Sequence, residues 1–267
     1  MNLGIAGRVA FVMGGSRGIG AAIAQELAAA GCKVAIVART QSSIDEALEQ
    51  IRANGGLAVG FSADLSVLEN WNAVIARVTQ ELGAPDIAVF NPPTPNHGAF
   101  FSLTEEDFAQ SFNNLVLCFA RMVRLVAPHM RDQRWGRILT VGAACTKQPM
   151  RGQLNFAYAL ANTTRISAVS LCKTISAELA PYGVTVNTIA TGAIETDMAM
   201  DFFSSRAGEA GLTSDQFMDA MVEKIPVGRI GKPEEMAGLA AYLCSARAGY
   251  TTGETILCDG GITNCSI

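Results

Sequence analysis

Short runs of β-branched and aliphatic residues alternate with longer helix-forming segments along almost the whole chain, and this rhythm leaves few architectures open. RVAFVMG (8–14), KVAIVAR (33–39), LAVGFSA (57–63), DIAVFN (86–91), GRILTVG (136–142), GVTVNTIA (183–190) and ETILCD (254–259) read as strands. Helical patterns fill the intervals near 18–30, 41–53, 67–82, 105–131, 155–180 and 233–245. Strands apolar on both faces belong in a parallel sheet, and parallel neighbours need crossover helices that cover it on each side. The expected fold is α/β: a doubly wound parallel sheet of about seven strands within three layers, α/β/α. Ligands of such sheets lie beyond the carboxyl ends of the strands.

At 267 residues the chain is expected to form a single domain, 1–267. Its apolar content of 49% supplies a large core, and only 16% of residues are charged. A net charge of −4 gives no electrostatic reason to expect nucleic acid or an anionic membrane as partner, which leaves a small molecule. No apolar run approaches the length of a membrane span and the first residues lack the form of a signal peptide, so a cytoplasmic location is expected. The seven cysteines (32, 118, 145, 172, 244, 258 and 265) show no metal-ligand spacing, and reduced thiols without a metal site are expected.

Chemistry enters at the first strand-to-helix turn. Gly14-Gly-Ser16-Arg17-Gly18-Ile19-Gly20 follows a strand and opens a helix, where missing side chains let the backbone approach a pyrophosphate at a helix N-terminus. That context makes the sheet Rossmann-type and the ligand a dinucleotide. The second strand ends in Arg39 instead of the carboxylate that would accept bonds from an NAD ribose. With Arg17 it can fork onto a 2′-phosphate, so NADP(H) is the expected cofactor.

These segments, with Ala63-Asp64-Leu65, AELAPYGVTVN (177–187), Gly192-Ala-Ile194-Glu-Thr196 and the terminal Asp259-Gly-Gly, resemble a classical short-chain dehydrogenase/reductase along nearly the whole length. The likeness extends to bacterial 3-oxoacyl-carrier-protein reductases. The resemblance implies that Asp64 and Leu65 hold the adenine, Asn91 the nearby ribose, and Ile194 and Thr196 the nicotinamide carboxamide. It also implies a homo-oligomer, tetramer or dimer, with the 105–131 and 155–180 helices at its interfaces.

Counted from its own anchors, the family's catalytic pattern is replaced. The lysine position falls on Arg165, the tyrosine position on Ala161, the serine position on Ala143 and the asparagine position on Leu115. An arginine can bind ribose hydroxyls but keeps its proton, so it cannot relay one. Tyr158 lies seven residues before Arg165, two helical turns away, a spacing similar to the Tyr-x6-Lys of enoyl-carrier-protein reductases. Packing at a helix start explains a tyrosine there equally well. Lys147 and Cys145 after the fifth strand, and His97 in the Pro-rich loop 92–98, complete the candidates, ranked Tyr158, Lys147, His97 for the proton.

The leading expectation is an NADPH-dependent reductase of a carbonyl, enone or imine with an unusual proton donor. A nucleotide-retaining isomerase, lyase or cyclase and a non-catalytic NADP(H)-binding protein are the alternatives. Residues 195–225, which break the βα rhythm, suit either a substrate-covering lid or a surface insertion. Thr104-Glu-Glu-Asp107 and Gly231-Lys-Pro233 read as helix starts.

Overall fold

The computed structural model describes residues 2–150 and 158–266. Strands β1 (Val9–Met13), β2 (Lys33–Ala38), β3 (Leu57–Ser62), β4 (Ile87–Phe90), β5 (Gly136–Ala143), β6 (Val184–Thr191) and β7 (Thr255–Cys258) form one seven-stranded sheet in the order β3-β2-β1-β4-β5-β6-β7. All neighbours run parallel. The Rossmann-type doubly wound architecture expected from the sequence is therefore present. The order reverses between β1 and β4, the switch point at which two crossovers leave in opposite directions and open a crevice.

Alternation along each strand builds the two apolar layers. Val12, Ile36, Val89 and Leu139 point to one side, where helices α1 (Gly18–Ala29) and α2 (Gln41–Ala53) bury Ile23, Leu27, Ile44 and Leu48. Phe11, Val37, Phe90 and Ile138 point to the other, against Trp71 and Val78 of α3 (Asn70–Leu82). Each of these side chains is withdrawn almost wholly from water, at about 25 cal/mol per Å² of apolar surface.

Three elements depart from the expected rhythm or refine it. The helix expected over 105–131 is interrupted: α4 (Glu105–Phe112) and α5 (Cys118–Asp132) flank a π-helical turn at Asn113–Leu117. One more residue per hydrogen-bonded turn shifts the side chains there, a distortion often found at functional sites. Helix α6 is described from Ala159 to Leu179, and the earlier part of the expected 155–180 helix lies outside the described residues, apart from Tyr158. The stretch 195–225 folds as α7 (Asp197–Glu209) and α8 (Ser214–Val222), whose apolar faces meet around Ala207 and Phe217.

Both helix starts read from the sequence are formed. The Thr104 hydroxyl accepts from the Asp107 N–H at 3.2 Å while the Asp107 carboxylate accepts from the Thr104 N–H at 2.9 Å, and Pro233 opens α9 (Pro233–Leu243). Among the described residues no helix is long and apolar enough to cross a membrane.

Candidate active site

The glycine turn is shaped by contacts that admit no side chain. A Cβ on Gly20 would stand 2.0 Å from the Gly14 carbonyl oxygen, and one on Gly14, whose φ is +66°, would stand 2.6 Å from the Asn91 carbonyl oxygen. Asn91, leaving β4, donates its side-chain amide to the Gly14 carbonyl at 3.1 Å and so ties the two sides of the switch point together. Thr196 caps α7 by accepting from the Ala199 N–H at 3.2 Å, and its methyl lies where a Cβ on Gly18 would reach it at 3.0 Å. Residues far apart in sequence thus meet at one end of the sheet. Ser16, Arg17, Gly18 and Ile19 carry the chain into α1, with Arg17 exposed at its N-cap.

At the far end of the crevice, Arg39 is exposed just beyond β2, and its carbonyl accepts from the Ser62 hydroxyl at 2.9 Å. Asp64 faces it: bonds from Ser66, followed by the charge of Arg39, outweigh desolvation and hold its carboxyl below the ordinary range. Leu65 is buried, and its carbonyl accepts from the Trp71 indole at 2.8 Å, so it fixes this loop from inside the core. Ile194 is likewise buried, its backbone bridged to Gly231.

The proton-donor candidates divide. His97 and Tyr158 come together: Gly98 and Tyr158 form a parallel backbone bridge, and the two rings meet edge to face at 5.7 Å. Phe202 of α7 lies over His97 at 4.5 Å, and Arg206 sits 5.3 Å over the Phe202 ring while ion-paired with Glu209. His97 is half-buried, not the exposed loop residue its setting suggests; burial, then Arg206 and Arg165, hold its imidazole below the usual range. Burial, reinforced by Cys145 and opposed by Arg206, pushes the Tyr158 phenol up to about 12. Lys147 ends a short 3₁₀ turn after β5, and no bond of its ammonium to Tyr158 or His97 is formed among the described residues.

Arg165 of α6 is only 8% exposed, with its Nη1 3.4 Å from the Val141 carbonyl. Tyr158 precedes the first turn of α6, at φ −105° and ψ 24°, so the two-turn spacing that places i and i+7 on one helical face does not apply to it. Cys145 links the two instead: buried, with its thiol 3.7 Å from the Ala161 carbonyl, it raises the phenol and works against the loss of charge that burial imposes on Arg165. Leu115 is buried in the π turn with Val116 and Ala168, beside a cavity of about 10 Å³ that Arg165 and Thr188 also line. Ala143 closes β5 and Ala161 is buried on α6, each offering a methyl group only.

Phe202 and Arg206 escaped the sequence reading. Their i, i+4 spacing on a helix that follows a strand end was the available signal, and without knowledge of what α7 covers it pointed nowhere.

A doubly wound sheet with a glycine turn at its switch point defines a dinucleotide-binding α/β protein. Residues 14–263 match the family model described as enoyl-(acyl carrier protein) reductase. The chain belongs to the short-chain dehydrogenase/reductase family. It is 33% identical over 260 residues to the 3-oxoacyl-(acyl-carrier-protein) reductase FabG of Vibrio cholerae, covering 97% of this chain and 99% of that one. With the acetoacetyl-CoA reductase of Shinella zoogloeoides it shares 34% identity, over 95% of this chain and 98% of the relative. The L-sorbose reductase of Gluconobacter frateurii, solved with NADPH and L-sorbose, superposes with a TM-score of 0.91 at 28% identity, covering 98% of each chain. Membership makes the chain an NAD(P)-dependent oxidoreductase by type.

Proposed function

We propose that this protein is an NADPH-dependent reductase of a small carbonyl, enone or imine substrate that uses an atypical proton donor. The observation carrying this reading is the crevice at the switch point, where a glycine turn closed to any side chain leads to an exposed Arg39 with no carboxylate in the ribose-binding place at the end of β2. Gly14, Ser16, Arg17, Gly18, Ile19 and Gly20 would hold the pyrophosphate, Arg17 and Arg39 the 2′-phosphate, Asp64 and Leu65 the adenine. Asn91, Arg165, Ile194 and Thr196 would hold the ribose and carboxamide of the nicotinamide half. The bound dinucleotide supplies the hydride.

The protein's share is position and a proton. Tyr158, protonated throughout the neutral range, is the donor this reading favours, with His97 against its edge setting the ring plane and Arg206 adding positive potential. Leu115, Ala143 and Ala161 withdraw the hydroxyl and amide groups that the family pattern would supply. Helices α7 and α8 cover Tyr158 as a lid, and a homo-oligomer is the expected assembly. Loss of NADPH absorbance on addition of ketones, enones or imines tests the reading. No loss with any of them would sink it, and turnover without cofactor oxidation would install an isomerase or lyase in its place.

A further inference from the structure

The loop that follows β3 is gripped by its carbonyl oxygens. Three consecutive residues present theirs to side chains from elsewhere in the chain. Asp64 accepts from the Asn70 amide at 2.8 Å, Leu65 from the Trp71 indole at 2.8 Å and the Cys118 thiol at 3.2 Å, and Ser66 from the Asn113 amide at 2.9 Å. The Asp64 carboxylate accepts from the Ser66 N–H at 2.9 Å and from its hydroxyl at 2.7 Å. The Leu65 N–H makes no bond among the described residues, so the loop keeps one backbone donor beside one carboxylate for a ligand.

Two of the four grips come from the ends of the π turn. Five residues along a regular α-helix turn through about 500°, which would leave Asn113 and Cys118 about 140° apart on the helix surface. Here the Cys118 N–H bonds to the Asn113 carbonyl five residues back, which brings the two side chains onto one face, and both reach the same loop. The opposite side of the turn is braced: Leu115 and Val116 pack on Ala168 of α6, and Ser111, two residues ahead of the turn, shares a 2.9 Å hydroxyl bond with Thr164.

We propose that the π turn is a bracket for the base of the dinucleotide and that Asn113 is a positioning residue for it. By fixing the Ser66 carbonyl, Asn113 holds the Asp64 carboxylate and the Leu65 N–H ready for a 6-aminopurine, whose amino group donates and whose adjacent ring nitrogen accepts. The inference rests on the reading of Asp64 and Leu65 as the adenine site and extends it to a residue that touches no ligand. Hypoxanthine offers a carbonyl and a ring N–H on the same edge, the reverse of what this loop can bond.

Fluorescence titration with NADPH and with deamino-NADPH, in which hypoxanthine replaces adenine, tests it. The unaltered protein should bind NADPH at least about tenfold tighter, the worth of one hydrogen bond to a charged group. Asn113→Ala should weaken NADPH by about three- to tenfold, the worth of one neutral hydrogen bond, and change deamino-NADPH by less than about twofold. Equal weakening of both ligands overturns the proposal, because it reports a loosened helix and not a displaced loop. So does an unchanged affinity for NADPH. If Asn113→Ala lacks a native circular dichroism spectrum, Asn113→Asp, the isosteric change that replaces the donor with an acceptor, carries the same expectation and the same refutation. Equal affinities of the unaltered protein for the two nucleotides overturn the proposal and leave the NADPH reading standing, whereas failure to bind either sinks that reading and this one with it.

Discussion

Individual side chains set what the crevice admits and which proton moves. Arg39 stands exposed where a carboxylate would select NAD, and each charge-assisted bond it would make to a 2′-phosphate would contribute about 1.5–3 kcal/mol. Arg39→Asp should therefore shift the ratio of kcat/KM for NADPH over NADH by about 10- to 100-fold toward NADH, measured with one substrate under fixed ionic strength. Tyr158→Phe removes the proposed donor hydroxyl while keeping the ring against His97, and turnover should fall about 100-fold or more. Unchanged turnover would pass the role to His97 or to water. With the phenol pushed up to about 12, Tyr158 gives a proton readily over the neutral range but cannot take one. Reduction should show no titration from Tyr158 between pH 6 and 9, whereas oxidation of the corresponding alcohol should climb about tenfold per pH unit over the same span. A plateau in the alkaline limb would mean that Arg206 and its neighbours lower the phenol more than burial raises it.

At the level of elements, the strand-turn-helix unit of β1 and α1 was legible residue by residue, because glycines before a helix after an apolar strand have one economical geometry. The structure adds the reason for the last of them: Gly20 sits so close to the Gly14 carbonyl that an added methyl must displace the turn. Gly20→Ala should introduce about 1–3 kcal/mol of strain and weaken NADPH binding by about 10- to 100-fold, read by fluorescence titration alongside a circular dichroism check of the fold. The π turn at Asn113–Leu117 was not legible. Asn-Asn-Leu-Val-Leu carries no breaker, and one extra residue in a hydrogen-bonded turn leaves the apolar period of the flanking helices nearly unchanged. Packing of Leu115 and Val116 against Ala168 of α6 is what holds the turn in place.

For the molecule as a whole, the amino end of the sheet is held by a polar knot far from the chemistry. Asp86 accepts from the Val9 N–H at 2.9 Å, from the Gln133 amide at 2.6 Å and from Arg8 at 3.2 Å, joining the start of β1, the turn before β4 and the end of α5. Burial pushes its carboxyl up, but these bonds together outweigh burial and hold it below the usual carboxylate range. A carboxyl depressed in the folded state stabilises above its unfolded pKa of about 4, and that stability is lost as pH falls through the lower, folded value. Asp86→Asn should cost about 2–4 kcal/mol at pH 7 by denaturant unfolding, and its deficit should shrink below about pH 4. A deficit independent of pH would assign the loss to packing instead of charge.

The sequence by itself determined the layers, the strand series and the glycine turn at one end of the crevice. Those follow from periodicity and from backbone rules that act over a few residues: apolar strands demand cover on both faces, and a glycine turn at a helix start presents N–H groups to an anion. Only the tertiary structure decided the company of Tyr158. Spacing along α6 pointed to Arg165, but a residue ahead of the first helical turn does not inherit the helical face, and the ring turns to His97, ninety-odd positions into the chain on another loop, which in turn lies against Phe202 of α7. The burial of Arg165 belongs to the same class of fact. A sequence shows that an arginine is present, whereas its withdrawal from water, with one long bond to the Val141 carbonyl among the described residues, is a property of how strands and helices close around it.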